Sequence, residues 1–133
     1  MPSTIPPDAL ALFDGVNFAH VATLMPDGNP QVSPVWVERD GDDTVVINTV
    51  KGRVKHRNLE RDPRVAVSVH AQGDAYSYVQ VRGTAELVDE GARDHIDVLS
   101  RKYLGKDYPS SQPGEERVIV RITAESVDFR PPG

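Results

Sequence analysis

N-T-V-K-G-R-V-K-H-R-N-L-E-R-D-P-R, residues 48–64, is the stretch on which the fold turns. It parses as the end of a strand, a glycine turn and a short helix. Val45, Val46 and Ile47 run into Asn48 and Thr49, Gly52 permits a tight turn, and Pro63 disfavours helical backbone just before it. The helix is therefore expected over residues 53–61. Its charges oppose its own dipole. Arg53, Lys55 and Arg57 crowd the N-terminal turns, where free N–H groups are already partly positive, and Glu60 and Asp62 sit where cations are favoured. One misplaced exposed charge costs only about 0.3–1 kcal/mol. Three together fit a bound anion, because helix N-terminal N–H groups, Arg and Lys can converge on one phosphate. A solvated basic helix with no ligand is the alternative.

The charge of the whole chain isolates this stretch further. Net charge is −5 over 133 residues, yet residues 51–64 hold six Lys or Arg against two acids. The positive charge is a local island in an acidic chain. Phosphate-backbone recognition wants a broad basic face, so nucleic acid is disfavoured as a partner and a small anionic ligand is favoured. There is no cysteine, which excludes disulfides, thiolate nucleophiles and Cys-based metal sites. His20, His56, His70 and His95 show no metal-ligand spacing, so no metal is expected. No run approaches the ~20 apolar residues of a membrane span, and M-P-S-T-I-P-P-D lacks the features of a signal peptide. A soluble cytoplasmic protein with no membrane partner is the expectation. The length suits one domain spanning residues 1–133.

Outward from the basic helix, strands dominate. Residues 5–14 read as a short helix with prolines in its first turn and Gly15 as its stop. Residues 18–24 form a strand that P-D-G-N folds back on a second, residues 31–39. Val32, Pro34 and Trp36 share one face of that second strand. Pro34 cannot donate to a ladder, so a bulge or an unpaired site is expected there, either at a sheet edge without function, the commoner case, or where a planar ligand approaches the backbone. Residues 44–49 and 65–70 follow as strands, and 76–88 is the longest, with Tyr76, Tyr78, Gln80 and Arg82 on one face. Residues 89–104 form a helix whose charges obey the dipole: Asp89 and Glu90 open it, Arg101 and Lys102 close it, and Gly105 stops it. The same chain thus builds an ordinary helix elsewhere, which sharpens the contrast at residues 53–61. Residues 117–129 close the pattern as a strand. The sum is mainly β with α: a six-stranded antiparallel barrel with short helices. The motifs of Rossmann binding, P-loop hydrolysis, serine hydrolysis and zinc proteolysis are not found.

With these elements placed, K-G-R-V-K-H-R-N-L-E-R-D-P-R-V, Y-V-Q-V-R-G-T-A-E-L-V and the A-T-L-x-x-D-G-x-P-Q-V-S-P-V-W run carry a resemblance. The chain resembles the pyridoxamine 5'-phosphate oxidase-like split β-barrels, and within them the short branch using the deazaflavin coenzyme F420. The resemblance implies that Arg53 and Lys55 meet the cofactor phosphate, with Asn48 and Thr49 beside it. It implies that Ser33, Pro34, Val35 and Trp36 line the ring, and that Tyr76 and Tyr78 wall a pocket shared between two subunits of a homodimer. Lys51, Gly52 and Arg57 belong to the same binding stretch, and the excess base at Lys51 and Arg57 points to a cofactor with an added anionic tail. The arginine-containing C-terminal motif of true pyridoxine phosphate oxidases is missing from S-V-D-F-R-P-P-G, which argues against a vitamin B6 substrate. No side chain stands out as acid or base. The readings, in order, are an F420-dependent oxidoreductase acting on an unsaturated small molecule, an FMN-dependent oxidoreductase, and a non-catalytic cofactor-binding protein.

Overall fold

A computed structural model describes residues 3–132. The order of elements is α1 (Pro7–Asp14), β1 (Ala19–Leu24), β2 (Pro30–Val35), β3 (Glu38–Asp40), β4 (Thr44–Val50), α2 (Val54–Arg61), β5 (Arg64–Ala71), β6 (Asp74–Val88), α3 (Ala92–Leu104) and β7 (Arg117–Arg130). The strands form one antiparallel sheet in the order β2-β1-β5-β6-β7-β4-β3. The expected six strands are therefore seven. The strand expected over residues 31–39 is two strands, and these lie at opposite edges of the sheet.

Only Trp36 and Val37 join β2 to β3. A two-residue link spans at most a few ångströms per residue, so the sheet must coil until its two edges lie side by side. The hydrogen-bonded ladder does not close across that gap. Val37 is completely buried, and side chains of α3 satisfy its backbone instead. The Val37 N–H donates to the Tyr103 hydroxyl at 3.1 Å, and Lys102 Nζ donates to the Val37 carbonyl at 2.7 Å. Tyr103 in turn donates to the Asn17 carbonyl. These bonds answer the requirement that buried backbone polar groups find partners.

Pro34 produces no bulge. It pairs in register with His20, because β2 is an edge strand whose outer side needs no donors. The register of the sheet shifts instead between His70 and Ala71 in the β5–β6 pairing and between Arg82 and Gly83 in the β6–β7 pairing. A Cβ at Gly83 would lie 1.9 Å from the Thr123 carbonyl oxygen. The bend therefore requires glycine for space.

Alternation builds the interior. Val65, Val67 and Val69 of β5, Val79 and Val81 of β6, and Val120 and Ile122 of β7 turn inward with Val45 and Ile47 of β4. Ile5 together with Ala9, Leu12 and Phe13 of α1 packs into the same core. Each fully buried Val or Leu contributes about 1.5–3 kcal/mol of transfer free energy. The opposite face of β4 and β7 is covered by α3, through Ala92, Ile96 and Leu99. That helix begins at Ala92 behind Gly91, not at residue 89. Asp89 lies outside it and pairs with Lys51 instead.

Candidate functional site

A cleft of about 200 Å³ opens where α3, the β2–β3 link and the start of α2 meet. The second strand's Pro34 and Val35, with Trp36 of the link, supply one wall. Trp36 stacks on Tyr103 with ring centroids 5.4 Å apart, and the edge of Tyr108 meets it at 5.9 Å. Phe18, Ile96 and Leu99 extend the apolar surface. Asn48 of β4, Arg53, Lys55 and Arg117 supply the polar side.

The start of α2 explains the two free cations. Arg53 occupies the N-cap position with extended backbone (ψ 160°), and no side chain caps the helix. No acid stands in its first turn. Gly52, with φ +94°, makes the turn before it, and its N–H donates to His56 Nδ1 at 3.0 Å. That bond makes Nδ1 an acceptor, so the 3.7 Å approach of Glu60 to the same nitrogen is not an ion pair in this state. Lys55 is half-buried. Burial, and then the positive charge of Arg53, hold its pKa below the ordinary 10.5. Neither Arg53 nor Lys55 has a carboxylate partner among the described residues. Two adjacent cations, one of them partly dry, at a helix N-terminus favour an anion.

The other basic side chains of the stretch are occupied. Lys51 reaches Asp89 at 3.1 Å and Glu116 at 3.7 Å, and the bond to Asp89 raises its pKa. Arg57 Nε donates to the Gly52 carbonyl at 2.8 Å. Arg61 donates to the Leu24 carbonyl and to Asn58 Oδ1, a cation in the last turn that does obey the dipole. Arg64 holds Asp62 at 2.7 Å, lowering that carboxyl to about 2. Of the bases that pointed to an anionic tail, Lys51 is paired with two carboxylates, whereas exposed Arg57 gives one N–H to a backbone carbonyl and has no carboxylate partner among the described residues.

Of the residues expected at the site, Pro34, Val35, Trp36, Asn48, Arg53 and Lys55 come together in the cleft. Ser33, Thr49, Lys51, Gly52 and Arg57 lie next to it in sequence without lining it. Ser33 Oγ and Thr49 Oγ1 are buried with no partner among the described residues. Tyr76 and Tyr78 line a separate hollow with Asp74 and Arg130. Sequence reading missed Phe18, Ile96, Leu99, Tyr108 and Arg117. The first three are apolar residues on elements already placed. Tyr108 sits in an irregular loop, where no periodicity marks it.

Arg117 is the residue the sequence hid most completely. It opens β7 and is 7% exposed. Its Nε donates to Glu115 Oε2 at 2.9 Å and its Nη1 to Asn48 Oδ1 at 3.1 Å. Its guanidinium lies 4.6 Å from the Tyr108 ring centroid. Asn48 Nδ2 donates to the Ala92 carbonyl and to His95 Nδ1, so Asn48 ties Arg117 to α3.

The comparisons agree with this architecture. The pyridoxamine 5'-phosphate oxidase family matches residues 5–130. An F420 reductase superposes with a TM-score of 0.82 at 28% identity, over 93% of this chain and 98% of that one. Rv2991 from Mycobacterium tuberculosis superposes at 0.72 with 23% identity, over 94% of this chain and 88% of the other. Group A Streptococcus HupZ does so at 0.70 with 18% identity, over 97% and 99%. The last two show likeness of fold alone. A family match over nearly the whole length, on a sheet that coils round an aromatic cleft beside two unpaired cations, places the chain in the pyridoxamine 5'-phosphate oxidase family.

Proposed function

We propose that the chain is an oxidoreductase that binds coenzyme F420 in this cleft and acts on an unsaturated small molecule. The observation that carries this reading is the half-buried Lys55 beside Arg53, with no carboxylate among the described residues to neutralise either. Such a pair fits the phosphate of a cofactor. When bound, the deazaflavin supplies the hydride chemistry. Arg53 and Lys55 neutralise the phosphate, Pro34, Val35 and Trp36 flank the planar ring, and Ile96 and Leu99 keep water from it. The 28% identity to an F420 reductase favours this cofactor. FMN is the second reading, favoured by the pairing of Lys51 with Asp89 and Glu116, which leaves less free positive charge for an added anionic tail.

The site is completed by a second copy of the chain. Its volume, about 200 Å³, falls below the ~300–1,000 Å³ of ordinary ligand pockets. Tyr76 stands 90% exposed outside it. A homodimer supplies the missing wall and covers the Tyr76 and Tyr78 face. Among the described residues no helix is long and apolar enough to cross a membrane.

Protein purified from a host making both cofactors should carry a deazaflavin absorbance spectrum. A flavin spectrum instead moves the assignment to FMN. Purified protein that carries neither, and takes up neither when titrated, sinks the reading.

A further inference from the structure

Arg117 has one hydrogen-bonding nitrogen left over. Nη2 is buried and finds no acceptor among the described residues, while Nε and Nη1 are both taken. A dry, unpaired guanidinium N–H is costly to keep, and this one belongs to a side chain on the cleft wall. The residue is also held in place on three sides, by Glu115, Asn48 and the Tyr108 ring. Such support fixes the direction of the remaining N–H.

The charge around it decides what it would bind. Glu115, 2.9 Å away and itself largely buried, neutralises the guanidinium, so the pair carries no net charge. Arg53 and Lys55, by contrast, are not neutralised. The cleft therefore holds two kinds of polar contact: two free cations for a full anion, and one neutralised, directed donor for an uncharged acceptor.

We infer that Arg117 donates through Nη2 to a carbonyl oxygen or ring nitrogen on the planar head of the ligand in the cleft. This deepens the cofactor reading and rests on it. Arg117 is then a specificity-determining residue: it reads the acceptor edge of the ring while Arg53 and Lys55 read the phosphate. Tyr108, which also lines the cleft, covers one face of the guanidinium and is itself held by its N–H bond to Asp97.

The test compares wild type and three variants of the full-length protein, titrated with FMN and with F420 at low and high salt. Arg117→Met alone leaves Glu115 buried and uncompensated, so Arg117→Met with Glu115→Gln is the second variant, which removes both charges at similar volume. Either variant that keeps the apo melting temperature and Trp36 emission of wild type should bind about ten- to a hundredfold more weakly, as for loss of one bond to a charged donor. The salt dependence of the double variant, which removes both charges together, should match wild type, because a neutralised pair adds no screened charge. Arg53→Ala with Lys55→Ala should instead flatten the salt dependence. Unchanged affinity in the Arg117 variants overturns the inference. So does a loss that is confined to low salt, which would make Arg117 a phosphate contact. Wild-type protein that binds neither ligand overturns the inference together with the cofactor reading. Wild-type binding with an unaffected Arg117 variant overturns the inference alone.

Discussion

Lys55 carries its charge where burial and Arg53 both oppose it. Its pKa in the folded chain lies below 10.5, so the charged form is disfavoured by folding. Lys55 therefore subtracts from stability below its folded pKa, and the cost disappears as pH rises toward 10.5. An anion reverses the sign. Cofactor binding in the alkaline window just below 10.5 should be accompanied by proton uptake, visible as a binding enthalpy that changes with the ionisation enthalpy of the buffer. Identical enthalpies in two such buffers would show that Lys55 does not meet the anion. Replacing Arg53 and Lys55 with Ala removes two charge-assisted contacts worth about 1.5–3 kcal/mol each, so affinity should fall at least tenfold. Apo stability should hold or rise slightly, since the change relieves positive charge at the helix N-terminus. These two residues were legible in sequence because they break a local rule, the dipole rule. Arg117 breaks none. Its meaning depends on burial beside Glu115 and on Asn48 reaching across from β4, and linear spacing does not encode either contact.

At the scale of elements, α3 does more than cover the sheet. Tyr103 and Lys102 bond Val37, the buried residue of the two-residue link at which the ladder is interrupted. Tyr103→Phe leaves the Val37 N–H unpaired in a buried place and should lower stability by about 1–3 kcal/mol, measured by denaturant titration. A variant as stable as wild type would mean that the gap takes up water without cost. Gly83→Ala tests the bend in β6 in the same way. Its new Cβ would collide with backbone at 1.9 Å, so a loss of about 1–3 kcal/mol is expected, and an Ala variant that melts like wild type would deny the close approach. Element types were largely readable, because the valine alternation and the glycine stops are strong local signals. The break in the second strand was not. It is placed by Tyr103 and Lys102 from far along the chain, and Pro34, the local breaker, is absorbed harmlessly by an edge strand. The start of α3 was misplaced for a related reason: Asp89 has Lys51 as its partner, so it does not serve the helix.

For the whole molecule, a shared site requires two copies, and light scattering at micromolar concentration should give twice the 14.6 kDa chain mass. A monomer that binds cofactor with full affinity would remove the shared wall. Strand order was the least legible feature, since pairing joins residues distant in sequence and periodicity says nothing of neighbours. That order has a consequence for how the chain is made. β3 and β4 join the remaining strands only through β7, which lies between β4 and β6. A ribosome delivers β7 after every strand it must connect. Until it emerges, β1, β2, β5 and β6 can assemble on one side while Val45, Val46 and Ile47 wait on an unpaired edge. A nascent chain arrested just before residue 117 should therefore be readily captured by chaperones that grip extended apolar segments, and release of the last strand should end that capture.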